Sequence, residues 1–303
     1  MAAVTFRQAE GAPPQDAEPG RRRRRLTPYL LLLPGLAWLA VFFAVPILTL
    51  FGTSLQTPSP SGEIGAFDQT FRFANFADAA GAYLPQFGRA FLYAGIATVL
   101  ALLIGYPLAY MIAFKAGRLR NLLLVLVVAP FFTSFVLRTI AWRQILGEEG
   151  FVVPGLKALH LIPEDLALTA SGFAVVAGIT YNFLPFMTLP LYASIERLDP
   201  RLLEAGADLY GSPVTVLRKV TLPLTLPGIV AGTLLTFIPA AGDYVNAALL
   251  GGTKNTMIGN VVQSRFFQVV DYPTAAALSF VLMAIILVLV VLYIRRAGTE
   301  ELV

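Results

Sequence analysis

Six stretches of this 303-residue chain hold no Asp, Glu, Lys or Arg: 26–62, 90–114, 121–137, 166–195, 220–242 and 272–294. A helix needs about 20 apolar residues to cross a bilayer, and these stretches run to 37, 25, 17, 30, 23 and 23 residues. Charged side chains make up only 13% of the chain, against about 25% in a soluble domain. They are too few to cover such blocks with a polar surface. The chain reads as an all-α integral membrane protein of six transmembrane helices over residues 26–295. The shortest block crosses if Arg138 snorkels to the far boundary and Ile140, Ala141 and Trp142 extend it.

Six spans put both termini on one side, and the charges say which. Arg7 and Arg21 to Arg25, then Lys115, Arg118 and Arg120, then Arg197, Arg201, Arg218 and Lys219, then Arg295 and Arg296 all fall on that face. It carries 15 of the 22 basic residues and a net charge of +6, against −2 opposite. By the positive-inside rule the N and C termini are cytoplasmic. The block Arg21–Arg25 is then a retained topology anchor, because the apolar run after it is too long for a signal peptide. Residues 1–25, rich in Pro, Gly and charge, are expected to be disordered, and 296–303 form a second cytoplasmic tail.

Several kinds of chemistry are excluded. Cysteine is absent, which removes disulfides, thiolate catalysis and Cys-ligated metals. His160 stands alone and is read as exposed or interfacial. The outer segments 55–88, 142–170 and 244–271 are too short for a catalytic domain. In the second of them, the pairs Glu148, Glu149 and Glu164, Asp165 read as solvated loop acids that dock a substrate-delivery protein. Pro34, Pro46, Pro107, Pro130, Pro185, Pro190, Pro223, Pro227 and Pro239 lie in or beside spans, where each removes a backbone hydrogen bond. That distribution favours a protein that bends or lines a cavity over a passive anchor.

The loop between the fourth and fifth spans, 196–221, is the most informative segment. Asp199 is a good N-cap and Pro200 a good first helical residue, which predicts a helix to about Leu209 ended by Gly211. Ser212 and Pro213 repeat the signal and predict a second short helix leading through Lys219 into the fifth span.

Glu204-Ala205-Gly206, then Gly211, then Val220-Thr221-Leu222-Pro223 resembles the EAA loop of ABC importer permeases. Two positions depart from that pattern: Gly206 replaces the second Ala, and Tyr210 stands where Gly is usual. Further on, the segment from Pro223 to Gly232, Phe237 to Val245, Leu250-Gly251-Gly252 and Met257 to Asn260 resembles the spermidine/putrescine permeases, and similarity extends over most of 27–295. The resemblance implies the type I importer architecture in a bacterial inner membrane. It implies a second homologous permease, two cytoplasmic ATPase subunits and an extracytoplasmic polyamine-binding protein. It places Glu204, Ala205, Gly206, Asp208 and Gly211 against the ATPase. No G-x-x-x-x-G-K-[ST] occurs here, so this non-enzymatic chain binds no cofactor, and its partners use the ATP and Mg.

Asp243 is the one acid at the lip of a span, where an ionisable group is a functional candidate by default. With Tyr244, Asn246, Tyr181 and Asn182 it suits a polycation, offering a carboxylate, aromatic faces and amides. The other reading of Asp243 is a helix cap or a partner of Arg265, and Tyr181 and Asn182 are equally suited to helix packing. The alternatives to a polyamine importer are an ABC permease for another small solute and an ATP-independent secondary transporter, which would usually show buried acids or internal repeats.

Overall fold

The computed structural model describes residues 27–163 and 166–297. The expected N-terminal tail with Arg21–Arg25, most of the C-terminal tail, and Glu164 and Asp165 lie outside the described residues. The chain divides into two units, up to Leu50 and from Phe51 onward.

In the first unit α1 (Thr27–Leu39) and α2 (Val45–Ser54), which runs on into the second unit, are joined by a π-helical turn, Ala40–Ala44. Pro46 lacks an N–H, and the widened turn just before it has Val45 N–H reaching back to Ala40, a usual accommodation of a missing helical bond. The large side chains here are exposed, Leu31 at 77% and Phe43 at 65%.

The second unit begins with a small antiparallel pair, β1 (Gln56–Pro58) and β2 (Phe67–Gln69), in which Thr57 faces Asp68. A short α3 (Ala74–Ala82) leads into the long α4 (Leu84–Phe114). After a 3-10 turn come α5 (Arg120–Val128), α6 (Phe135–Ile145) and α7 (Val152–Ala158). Then follow α8 (Gly172–Glu196), α9 (Pro200–Tyr210), α10 (Pro213–Val216), α11 (Leu222–Leu224), α12 (Leu226–Ala241), α13 (Val245–Leu250), α14 (Ile258–Phe267) and α15 (Tyr272–Ala297).

The core is built by α4, α8 and α12. On α4 the small residues Ala90, Ala94, Ala97, Ala101 and Ala109 recur at helical spacing and are fully buried. Such a stripe lets backbones approach closely and makes dense van der Waals contact where no hydrophobic effect drives helices together. Against it α8 presents Val175, Ile179, Met187, Leu191 and Ile195, none of them exposed.

Among the described residues four helices are long and apolar enough to cross a membrane: Leu30–Ser54, Leu84–Phe114, Gly172–Glu196 and Tyr272–Arg296. Two bent pairs complete the expected six if each is one span: Gly117–Phe132 with Phe135–Ile145, turning by 97°, and Pro213–Leu224 with Leu226–Ala241, turning by 71°. In the first, the helix is interrupted. Pro130 sits in a 3-10 turn, and Thr133 and Ser134 are both extended, so the helix cannot run through. The guanidinium carbon of Arg138 lies 5.0 Å and 5.8 Å from the ring centroids of Phe131 and Phe135.

The expected outer segment 244–271 holds helices of its own. It is folded into the core through α13 and α14, with Asn246, Ala247, Leu250, Met257 and Ile258 fully buried.

Candidate functional site

The loop after α8 folds as its end signals require. Asp199 accepts the Arg201 N–H at 3.0 Å, and Pro200 opens α9. At the other end Gly211 takes φ +65°, and its N–H reaches the Ala207 carbonyl at 2.7 Å. That left-handed backbone is the reason for Gly at the position. Tyr210 does not disturb the turn; its ring, half in solvent, lies 4.7 Å from the Lys219 ammonium.

Beyond the turn the second helix differs from expectation. Ser212 makes no side-chain cap, and its carbonyl accepts from Val216 at 3.0 Å instead. The helix soon widens into a π-helical segment, Leu217–Thr221, ahead of Pro223.

The five predicted coupling residues share this element but not one face. Gly206 is buried, and a Cβ there would stand 3.2 Å from Val220 Cγ2 and 3.3 Å from Val216 Cγ1. Absence of a side chain is what seats α9 on the helical arm Pro213–Leu224. Glu204, Ala205 and Asp208 point outward. Leu202, Ala205 and Leu209 fall at i, i+3 and i+7, one stripe of a helix, and all are exposed, Leu209 at 78%. Glu204 takes part in none of the ion pairs among the described residues.

A second constellation lies where α6, α8 and α13 meet. Asn182, ten residues into α8 and so about 15 Å along it, donates to Thr139 Oγ1 at 3.2 Å and to Asn246 Oδ1 at 3.1 Å. The one hydroxyl hydrogen of Thr139 is shared between the Phe135 carbonyl at 3.0 Å and Asn246 Oδ1 at 3.3 Å. The Asn246 amide donates to Asp243 Oδ2. The other carboxylate oxygen accepts the Val245 and Asn246 N–H groups at 2.8 Å and 3.1 Å. The acceptor-only carboxylate thus fixes the orientation of both amides, and Asn182 Oδ1, at the far end, is buried without a partner.

The predicted pathway residues therefore part company. Asp243, Asn246 and Asn182 are joined, with the carboxylate of Asp243 capping α13. Arg265, the other partner considered for Asp243, instead pairs with Asp271 at 3.4 Å and donates to Tyr83. Tyr181 is half-buried with its ring centroid 5.3 Å from that of Trp142. Tyr244 is 47% exposed and faces a cavity of about 700 Å³ with Gly242, Gly259, Gln263, Phe266 and Phe267 on its walls. Glu148 and Glu149 are exposed on the wall of a larger space of about 1010 Å³ beside Arg143 and Gln144, and His160 is exposed.

Sequence reasoning passed over Thr139, the member of the network on α6. A hydroxyl inside an apolar run is the signal it carries, but many such residues merely bond their own helix, as Thr98 does to the Ala94 carbonyl at 2.7 Å. Tyr106 and Thr225 were missed for the same reason: their hydroxyls meet at 2.9 Å across 119 residues, in the bend between α11 and α12.

Comparison with known proteins supplies the remaining findings. Residues 101–297 match the family model described as "Binding-protein-dependent transport system inner membrane component". The chain is 35% identical over 260 residues to the spermidine/putrescine transport system permease protein PotB of Salmonella typhimurium, covering 86% of this chain and 90% of that one. With the PotB of Haemophilus influenzae the identity is 37% over the same shares. An inner membrane ABC transporter permease protein of Escherichia coli, YdcU, is 31% identical over 90% of each chain. Among solved structures, a bacterial ABC transporter that imports the acidic polysaccharide alginate has the same fold at TM-score 0.66 and 18% identity, over 93% of this chain and 98% of that one.

Proposed function

Because this chain belongs to the binding-protein-dependent transport system inner membrane component family, we propose that it is the membrane permease of an ATP-driven polyamine importer. Relatives at 34% to 37% identity over 86% of the chain are spermidine/putrescine permeases. The chain is a multi-pass inner-membrane protein and hydrolyses no ATP itself. It works with a second homologous permease, two cytoplasmic ATPase subunits that use ATP and Mg, and an extracytoplasmic binding protein. Both termini and α9 face the cytoplasm, in keeping with the sided distribution of Lys and Arg.

One observation carries the coupling role: α9 is fastened to the arm Pro213–Leu224 through Gly206, while its Leu202, Ala205 and Leu209 stripe and its Glu204 carboxylate are left open. An exposed apolar stripe beside an acid with no ion-pair partner among the described residues is a surface for another protein. Seated in an ATPase groove, it passes movement to the helical arm. On the solute side Tyr244 offers an aromatic face to a polycation, while Asp243 acts by capping α13 and ordering the amides behind it.

The test is the assembled complex in proteoliposomes, with ATP hydrolysis read against the solute loaded on the binding protein. Stimulation by spermidine or putrescine is expected. Stimulation by a non-polyamine alone overturns the substrate class, and ion-coupled flux by this chain without any ATPase overturns the whole reading.

A further inference from the structure

We infer that Tyr106 is the fulcrum of the bent fifth span, a positioning residue that makes α12 follow the arm Pro213–Leu224. The inference rests on the proposed coupling role of α9. The bend turns the chain by 71° at Thr225, between Pro223 and Pro227. Pro227 cannot donate to the Pro223 carbonyl, and its ring crowds that group, so backbone bonding across the corner is depleted. A corner joined so weakly would absorb a push from α9 as local flexing, and α12 would stay where it is.

The side chains supply the missing stiffness. Thr225 Oγ1 lies 2.8 Å from the Thr221 carbonyl, and a hydroxyl has one hydrogen to give. Its contact with Tyr106 at 2.9 Å is therefore the phenol donating to Thr225. Tyr106 is 8% exposed and Thr225 fully buried, which shields the bond from competing water. Tyr106 stands on α4, the central helix of the core, one residue after Gly105, whose missing side chain lets Thr188 and Met187 of α8 close in. The corner is thus tied to the most tightly packed part of the molecule, and arm and α12 rock about that point as one lever.

Tyr106→Phe removes only the donated hydrogen bond. Thr225 keeps its bond to Thr221, so no buried group is orphaned and folding is spared. One buried hydrogen bond biases an equilibrium about fivefold, which sets the expected scale. The chain has no cysteine, so Leu103→Cys on α4 and Leu235→Cys on α12, at exposed positions, take spin labels on this subunit before assembly with no background from it. The distance between them is measured in the complete complex with and without a non-hydrolysable ATP analogue. The nucleotide should shift this distance in the otherwise unaltered chain. With Tyr106→Phe the shifted population should fall about fivefold; Thr225→Ser, which keeps the acceptor, should restore the full shift to a matched Thr225→Val loss.

Equal shifts with and without the Tyr106 hydroxyl overturn the inference, as does a nucleotide that moves α12 in no version. Failure of the transport reading shows separately, as absent uptake of radiolabelled spermidine and putrescine by the unaltered complex. Solute moved per ATP distinguishes a fulcrum from a mere structural prop: Tyr106→Phe should lower that ratio while hydrolysis continues, whereas loss of folded complex lowers both together.

Discussion

The two bent pairs look alike in sequence and are held in opposite ways. Each interrupts an apolar run near a proline. The 71° corner at Thr225 is fixed at its apex by Tyr106, on one arm by the seat of α9 at Gly206, and on the other by the close approach of α12 to α8. The 97° corner at Thr133 and Ser134 is exposed, and its apex bonds stay local: the Pro130 carbonyl lies 3.2 Å from Thr133 N and 2.7 Å from its hydroxyl, and the Ser134 carbonyl accepts the Arg138 N–H at 3.0 Å. It is tied down further along, where Thr139 of α6 joins Asn182 and Asn246. A corner that must transmit force is held at its pivot; one held only at a distance sets the course of the chain and transmits little.

The strongest way to break the contrast is to part α12 from α8. A Cβ at Gly232 would stand 2.9 Å from Met187 Sδ and 3.0 Å from the Met187 carbonyl, and Met187 is fully buried. Overpacking a closed core costs about 1–3 kcal/mol and more when backbone is struck. Gly232→Leu should therefore fall at or above the top of that range, with the solubilised chain unfolding at markedly lower temperature and little complex recovered. Unchanged thermal unfolding would show that the two helices separate freely and that the second corner is not braced from above.

Next in size is the distant anchor of the first corner. Asn182→Leu removes both bonds from Asn182, leaving Asn246 Oδ1 with Thr139 at 3.3 Å as its remaining side-chain donor. A buried polar group that loses its partner costs about 1–3 kcal/mol, and the lost Asn182 orphan oxygen offsets part of that. A destabilisation of about 1–2 kcal/mol is expected, together with faster amide hydrogen exchange in α6 but not in α12. Equal exchange changes in both helices would mean that the two corners move as one body, and the contrast would collapse.

How far these features were legible in the sequence follows from how local their causes are. The turn of α9 into its arm was readable because each signal sits at the site it controls: Asp199 and Pro200 at the start, Gly211 at the left-handed end. The six apolar blocks were readable for the same reason, since crossing a bilayer is a property of one segment. The corner in the third span was not. Pro130 marks it, yet Pro107, Pro185 and Pro190 lie within continuous helices, so proline alone does not announce a break. Nor was the burial of α13 legible. Asn246 looks like a loop residue until its bonds to Thr139 and Asn182 are seen, and those partners lie 107 and 64 residues away. The cap at Asp243 was half legible, because a carboxylate at a span's lip suits a cation and a helix cap equally, and only the positions of the Val245 and Asn246 N–H groups reveal the cap.

The smallest expected effect gives the comparison its sharpest form. Thr133→Val deletes the hydroxyl at the apex of the first corner and keeps the side chain's shape, as loss of the Tyr106 hydroxyl does at the second. Thr133 is exposed, and the Pro130 carbonyl still accepts the Thr133 N–H at 3.2 Å, so it is not left without a donor. Its extended backbone, φ −101° and ψ 152°, is one that β-branched residues favour. Changes at exposed positions of this kind stay within about 0.5 kcal/mol, and transport per ATP should match the unaltered complex within error. The two substitutions are then a pair, each losing one hydroxyl and unequal in consequence. If Thr133→Val lowers the transport ratio as much as Tyr106→Phe does, the bends are equivalent hinges and burial of the pivot is not what distinguishes them. If only Tyr106→Phe lowers it, force passes through the corner whose pivot is shielded from water.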